Sequence, residues 1–151
     1  MNNIIISKAH EADAADILCL QHVAYQSEAE IYNDYSIQPL MQTLEQVAAE
    51  FKDCIVLKAV LDDKIIGSVR AYENNGTAYI GKLIVHPNFR NRGIGKLLMQ
   101  EIEQEFQGRR FELFTGSKSE KNLSLYEKCG YTRFKTEEVK LGLTLVYMEK
   151  R

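Results

Sequence analysis

The richest chemistry in this 151-residue chain lies between residues 83 and 96, where the apolar Leu83-Ile84-Val85 runs through His86-Pro87-Asn88-Phe89 into Arg90-Asn91-Arg92-Gly93-Ile94-Gly95-Lys96. The pattern is a buried strand, a basic glycine loop and the first turn of a helix. A helix N-terminus leaves backbone N–H groups unpaired and carries partial positive charge, so it draws anions. Gly93 and Gly95 remove side chains and let a phosphate approach the backbone closely. Arg90, Arg92 and Lys96 add charge around the same point, and a pyrophosphate is the natural guest. Taken alone, the two glycines fit equally well a helix that simply starts at Gly93 among solvated arginines. Two other phosphate loops fail. Leu97 follows Gly95-Lys96 where a Walker loop needs Ser or Thr, and Leu98 stands where the dinucleotide fingerprint needs its third glycine.

A second group lies near the N-terminus. Tyr25, Glu28, Glu30, Tyr32, Asp34 and Tyr35 mix aromatic rings with carboxylates, a lining that favours a cationic amine through charge and cation–π contact. The same composition also suits a solvated loop. Charge divides along the chain in the same sense. Residues 1–75 hold 5 Lys or Arg against 12 Asp or Glu, and residues 76–151 hold 14 against 9. A basic second half suits a polyanionic cofactor, and an acidic first half suits a cationic substrate.

The elements that must position these groups follow from periodicity. Residues 3–7 read as a strand. A helix runs from about residue 11, with Ala14, Ile17, Leu18 and Val23 near helical spacing. Residues 25–39 read as a loop or broken helix, and 43–52 as a helix with Thr43 as N-cap. Strands 54–61 and 65–72 form a hairpin about Asp62-Asp63-Lys64, and a third strand covers 77–86. An amphipathic helix over 93–106 carries Ile94, Leu97, Leu98, Ile102 and Phe106 on its apolar stripe, with Glu101, Glu103 and Glu105 solvated. Strand 111–115, helix 119–128 and strands 131–135 and 143–148 complete the order β-α-α-β-β-β-α-β-α-β-β. This is an α+β pattern, one mixed sheet covered by helices, in a single domain over 1–151.

The full pattern, Arg-x-x-Gly-x-Gly directly after an apolar strand ending in His-Pro, resembles the acetyl-CoA motif of the GNAT superfamily of N-acetyltransferases. Downstream, Asn122-Leu123-Ser124-Leu125-Tyr126-Glu127-Lys128-Cys129-Gly130-Tyr131 resembles that family's Asn-x-x-x-Tyr-x-x-x-Gly-Phe/Tyr segment. The element order fits over nearly the whole chain. The resemblance implies a mostly antiparallel sheet and transfer of the acetyl group from acetyl-CoA to a primary amine of a small molecule or peptide. It implies that Leu83, Ile84 and Val85 offer backbone groups to the pantetheine arm and the acetyl carbonyl. The backbone from Arg90 through Asn91, Arg92, Gly93, Ile94 and Gly95 to Lys96 would hold the pyrophosphate, and Asn122 would bond to the pantetheine or its neighbouring backbone. Tyr126 would protonate the departing thiolate, and it shares a helical face with Asn122. The acceptor would meet Tyr25, Glu28 and Tyr32.

The general base stays open. Some family members use a Glu on the strand before the loop, but Tyr79, Ile80, Gly81 and Lys82 stand there, leaving Glu73, Glu112, His86 or a water chain. A module that binds CoA without turnover keeps the same loop, and a nucleotide-binding protein of another family is the third alternative.

Composition excludes other classes. No apolar run approaches the roughly 20 residues of a spanning helix, and no signal peptide is evident at the start, so no membrane partner is expected. Cys19, Cys54 and Cys129 are odd in number and far apart, which argues against disulfides and a metal site and for a cytoplasmic setting. With no basic run interleaved with aromatics, nucleic acid is not an expected partner. The apolar stretch 141–148 suits either core or a homodimer interface.

Overall fold

The computed structural model describes residues 3–151. Among these residues seven strands form one sheet in the order β1-β2-β3-β4-β5-β7-β6. The strands are β1 (Ile5–Lys8), β2 (Ile55–Leu61), β3 (Lys64–Asn74), β4 (Thr77–Val85), β5 (Arg110–Gly116), β6 (Thr132–Lys140) and β7 (Leu143–Lys150). All neighbours run antiparallel except β4 and β5. Those two are parallel, and they pair only at Thr77–Arg110, Ala78–Phe111 and Tyr79–Glu112. Beyond that point β5 stays with β7 up to Gly116–Leu145, and β4 stays with β3 up to Val85–Gly67. The sheet therefore splays open in its middle, leaving the facing edges of β4 and β5 without strand partners.

Four helices precede β2: α1 (Ala14–Ala24), α2 (Gln26–Tyr32), α3 (Gln38–Met41) and α4 (Leu44–Glu50). The connection over 25–39 is thus two short helices. Asn33 ends α2 in the left-handed region (φ 49°), and Pro39 sits in the first turn of α3. Thr43 caps α4 as expected: its Oγ1 accepts from the Gln46 N–H at 3.2 Å, and Gln46 Oε1 accepts from the Thr43 N–H at 2.9 Å. The later helices are α5 (Ile94–Gln104) and α6 (Glu120–Lys128). Among the described residues no helix is long and apolar enough to cross a membrane.

Side chains on β4 show how the sheet is covered. Ala78 and Ile80 pack with Leu98, Met99 and Ile102 of α5, whereas Ile84 packs with Leu20 and Ala24 of α1. Strand alternation would put 78, 80 and 84 on one face. A β-bulge breaks the phase: Val69 of β3 opposes both Lys82 and Leu83, and Lys82 takes a left-handed φ of 52°. After the bulge Leu83 and Val85 face α5, and Ile84 faces α1.

Some apolar stripes differ from expectation. Val23 and Leu97 are exposed, while Gln21 and Met99 are buried. Val23 lies on the outer side of α1 because Gln21 occupies the inner position and satisfies its amide there. Glu103 is not solvated, for its carboxylate accepts from the Tyr131 hydroxyl at 2.8 Å and from Lys150 at 2.9 Å. The strand expected over 131–135 extends to Lys140, with all nine of its residues exposed.

Candidate active site

A cavity of about 590 Å³ occupies the splay. Its floor is β3, β4 and β5, and α2, α3 and the β6–β7 turn wall it in. Tyr126 projects from α6 into this space. It is only 7% exposed, and its ring meets Tyr131 edge to face at 6.2 Å. Its hydroxyl has no hydrogen-bond partner among the described residues. Burial, reinforced by neighbouring Tyr25 and Glu28, pushes that hydroxyl well above the ordinary tyrosine range, so it stays protonated at neutral pH.

Asn122 lies one turn before Tyr126. Its amide donates to Glu28 Oε1 and Thr115 Oγ1, both at 3.3 Å. Glu28 also accepts from the Ser119 hydroxyl. The Tyr32 hydroxyl accepts from the Lys118 N–H at 2.9 Å and pairs with Ser119 Oγ at 3.1 Å. These bonds tie α2 to the start of α6 across about ninety positions of sequence. Tyr25, Glu28 and Tyr32, expected near the acceptor, all line the cavity.

Gly116 makes this junction possible. A Cβ at that position would overlap the Tyr32 hydroxyl outright. Gly116→Ala is expected to destabilise the protein by about 1–3 kcal/mol, as overpacking does. Thermal unfolding measures this, and a much smaller loss in a Tyr32→Ala background is the expected sign that the two positions are coupled.

The glycine loop leaves β4 through His86 and a single turn over Pro87–Phe89. Asn91 (φ 64°) and Gly93 (φ 81°) are both left-handed, an arrangement that gathers backbone N–H groups into an anion-binding concavity. The N–H groups of Ile94, Gly95 and Lys96 sit in the first turn of α5, where no intrahelical acceptor exists. Arg92 and Lys96 are exposed there, with the Arg92 guanidinium 5.2 Å from the Phe89 ring centre. Arg90 differs. Its guanidinium donates to the Ala24 carbonyl at 2.7 Å, Ser27 Oγ at 3.1 Å and the Val85 carbonyl at 3.4 Å, bracing the loop against the α1–α2 junction. Gly67 of β3 draws α5 against the sheet, since a Cβ there would press on the Leu98 side chain at 3.1 Å and the Ile84 carbonyl at 3.2 Å.

The three base candidates separate. His86 Nδ1 accepts from the Asn88 N–H at 3.1 Å, which makes it a cap for the turn. Glu73 pairs with Arg109 at 2.7 Å outside the cavity. Glu112 lines the cavity but pairs with Arg110 at 2.8 Å.

A buried network on the opposite wall has no signature in the residue pattern. Arg70 of β3 is 3% exposed and pairs with Glu50 of α4 at 2.6 Å. It also donates to Gln21, whose amide donates to Gln42 at 2.9 Å and the Pro39 carbonyl at 2.8 Å. An arginine in an alternating strand reads as solvated, and only the burial of Gln21 on α1 would have pointed to it.

Comparison with known proteins defines the class first. The fold matches that of the PaiA N-acetyltransferase of Thermoplasma acidophilum, solved in complex with coenzyme A, with a TM-score of 0.82 over 99% of each chain at 21% identity. The model of the acetyltransferase (GNAT) family matches residues 17–131, and the chain belongs to that family. It is 28% identical over 133 residues to the UPF0157 protein YqkA of Bacillus subtilis (strain 168), covering 87% of this chain and 38% of that protein. It is 26% identical over 80 residues to the uncharacterized N-acetyltransferase ycf52 of Pyropia yezoensis, covering 52% of this chain and 46% of that one. The chain thus spans less than half the length of the curated relatives it matches.

Proposed function

We propose that the protein transfers the acetyl group of acetyl-CoA to a primary amine by direct attack. The observation that carries this reading is the juxtaposition of an exposed, left-handed glycine loop at the start of α5 with a splayed sheet whose cavity holds the Tyr126 hydroxyl. The donor supplies an acetyl thioester. Its pyrophosphate would lie against the backbone of Asn91, Arg92, Gly93, Ile94, Gly95 and Lys96, with Arg90 bracing the loop. Its pantetheine would follow the open edge of Leu83, Ile84 and Val85, and Asn122 would turn its amide to that arm. A backbone N–H on this edge stabilises the oxygen that becomes negative as the amine attacks. The N–C bond forms and the C–S bond breaks. Tyr126 then gives its proton to the sulfur, since the burial that holds the phenol above its ordinary range also makes a thiolate formed in the same cavity more basic.

Glu28 is the acceptor-side counterpart. Among the described residues it is the cavity-lining carboxylate without a Lys or Arg partner. It holds the incoming ammonium and passes on the proton that the amine must lose before attack. Glu28→Gln is expected to lower kcat/KM about tenfold or more while changing coenzyme A affinity little. Steady-state kinetics and calorimetry on the same variant read the two effects.

Calorimetry with coenzyme A and acetyl-CoA, followed by thiol release across a panel of amines, tests the whole reading. Binding with turnover is the expected result. Binding without turnover of any amine would leave a CoA-binding module, and no binding would overturn the assignment. A cytoplasmic setting and a homodimer built on the exposed β6 edge belong to the same reading, and sedimentation tests the second.

A further inference from the structure

Six charged side chains line the cavity: Glu28, Glu50, Arg70, Lys82, Glu112 and Lys140. Four are matched. Arg70 pairs with Glu50, Glu112 with Arg110, and Lys140 with Asp34. The two left over, among the described residues, are Glu28 on α2 and Lys82 on β4, one of each sign and on different walls.

Lys82 is held there by the backbone. It is the left-handed residue of the β4 bulge, on the stretch of β4 that has already parted from β5. It is half-buried, and its surroundings favour loss of its charge. Burial pushes its ammonium below the usual lysine range, and Arg70 pushes the same way, against the opposing pull of Glu50 and Cys54. A second donor at this end is also unsatisfied: the Nε of Arg70 is buried and has no partner among the described residues. A half-buried ammonium without an acceptor, as at Lys82, favours a ligand that brings an anionic oxygen, whereas Arg70 already spends its other donors on Glu50 and Gln21.

We propose that the acceptor is a small zwitterion, a free amino acid whose amine lies at Glu28 and whose carboxylate is held by Lys82. The inference rests on the acetyl-transfer reading above and adds the substrate class. It sharpens the expectation of a cationic acceptor: the cationic end is the reacting amine, and a second, anionic end fixes the orientation. Lys82 is here a specificity residue, since the carboxylate it binds takes no part in the bonds that form and break.

The test compares glycine, leucine, phenylalanine and γ-aminobutyrate with the C-terminal amides of the three α-amino acids, their decarboxylated amines, and a tetrapeptide with a free N-terminus. Thiol release gives kcat/KM, and calorimetry gives binding to the coenzyme A-loaded protein. The expected result is that at least one free amino acid exceeds its amide and amine by about tenfold to 100-fold, the worth of a charge-assisted hydrogen bond. Lys82→Met should bring that acid to the level of its amide, and Lys82→Arg should retain most of the preference. Equal use of acid, amide and amine would overturn the proposal, as would preference for the tetrapeptide or a preference that survives in Lys82→Met. If coenzyme A itself fails to bind, the acetyl-transfer reading falls first. Calorimetry of the same acids on the free protein then still decides the subsite, since Lys82-dependent binding supports it and its absence overturns it.

Discussion

Replacing Tyr126 by Phe should lower kcat by about 100-fold or more, the usual worth of a positioned general acid. The ring is buried and packed against Tyr131, so phenylalanine keeps nearly all the contacts and removes one oxygen. That oxygen has no partner among the described residues, so its loss leaves nothing unsatisfied and stability should change little. Coenzyme A affinity should also move little, because the proposed phosphate site at the glycine loop does not include Tyr126. The native hydroxyl is held above its ordinary range, so its acid form persists past pH about 10. Accordingly, kcat of the native protein should not decline on the alkaline side below that value through this group. An unchanged kcat in Tyr126→Phe would remove the residue from the mechanism.

Gly93→Val should weaken coenzyme A binding by about tenfold to 100-fold, for two reasons that act together. The residue has φ 81°, and a left-handed conformation costs a residue with a Cβ about 1–2 kcal/mol. β-Branching adds to that cost and would turn the loop away from its concave form. Apart from its chain neighbours, no atom of the described residues lies within 4 Å of where the Cβ would sit, so the folded protein has room for the side chain. On the proposed reading, the space that valine takes is the space a phosphate would need. Calorimetry should show the affinity loss alongside a modest fall in the unfolding midpoint. Wild-type affinity would sink the assignment of the loop.

The turn into α5 and the helix that carries Asn122 and Tyr126 were legible because their patterns are local. Gly93 and Gly95 precede an amphipathic run, and Asn122 and Tyr126 stand one turn apart on one helix. Thr43 was legible for the same reason. What escaped the sequence depends on distant partners. Residues 25–39 have no clean periodicity, because α2 is held chiefly by polar bonds from Glu28 and Tyr32 to Ser119, Asn122 and Lys118. Arg70 and Gln21 are polar residues at buried positions, and their pairing with each other spans 49 positions. Glu103 faced Tyr131 and Lys150 for a reason visible only once β7 lay beside β5. The role of Lys82 was hidden further, because its place depends on an irregularity of the ladder that no side chain announces.

That irregularity behaves like a frameshift in the pleat. Upstream of it β4 is read in one phase and downstream in the other, so one strand serves two different cores without changing its apolar composition. A single-residue deletion at 82 would restore one phase along the whole strand. It would leave Leu83 and Val85 on α5 and Ile84 on α1, taking out only Lys82 and the kink, whereas straightening the bulge with residue 82 kept would present Ile84 to α5 and turn Leu83 and Val85 toward α1. The bulge, and not the apolar side chains around it, therefore decides which core each of those side chains serves, and Lys82 is the residue that the regular ladder has no place for.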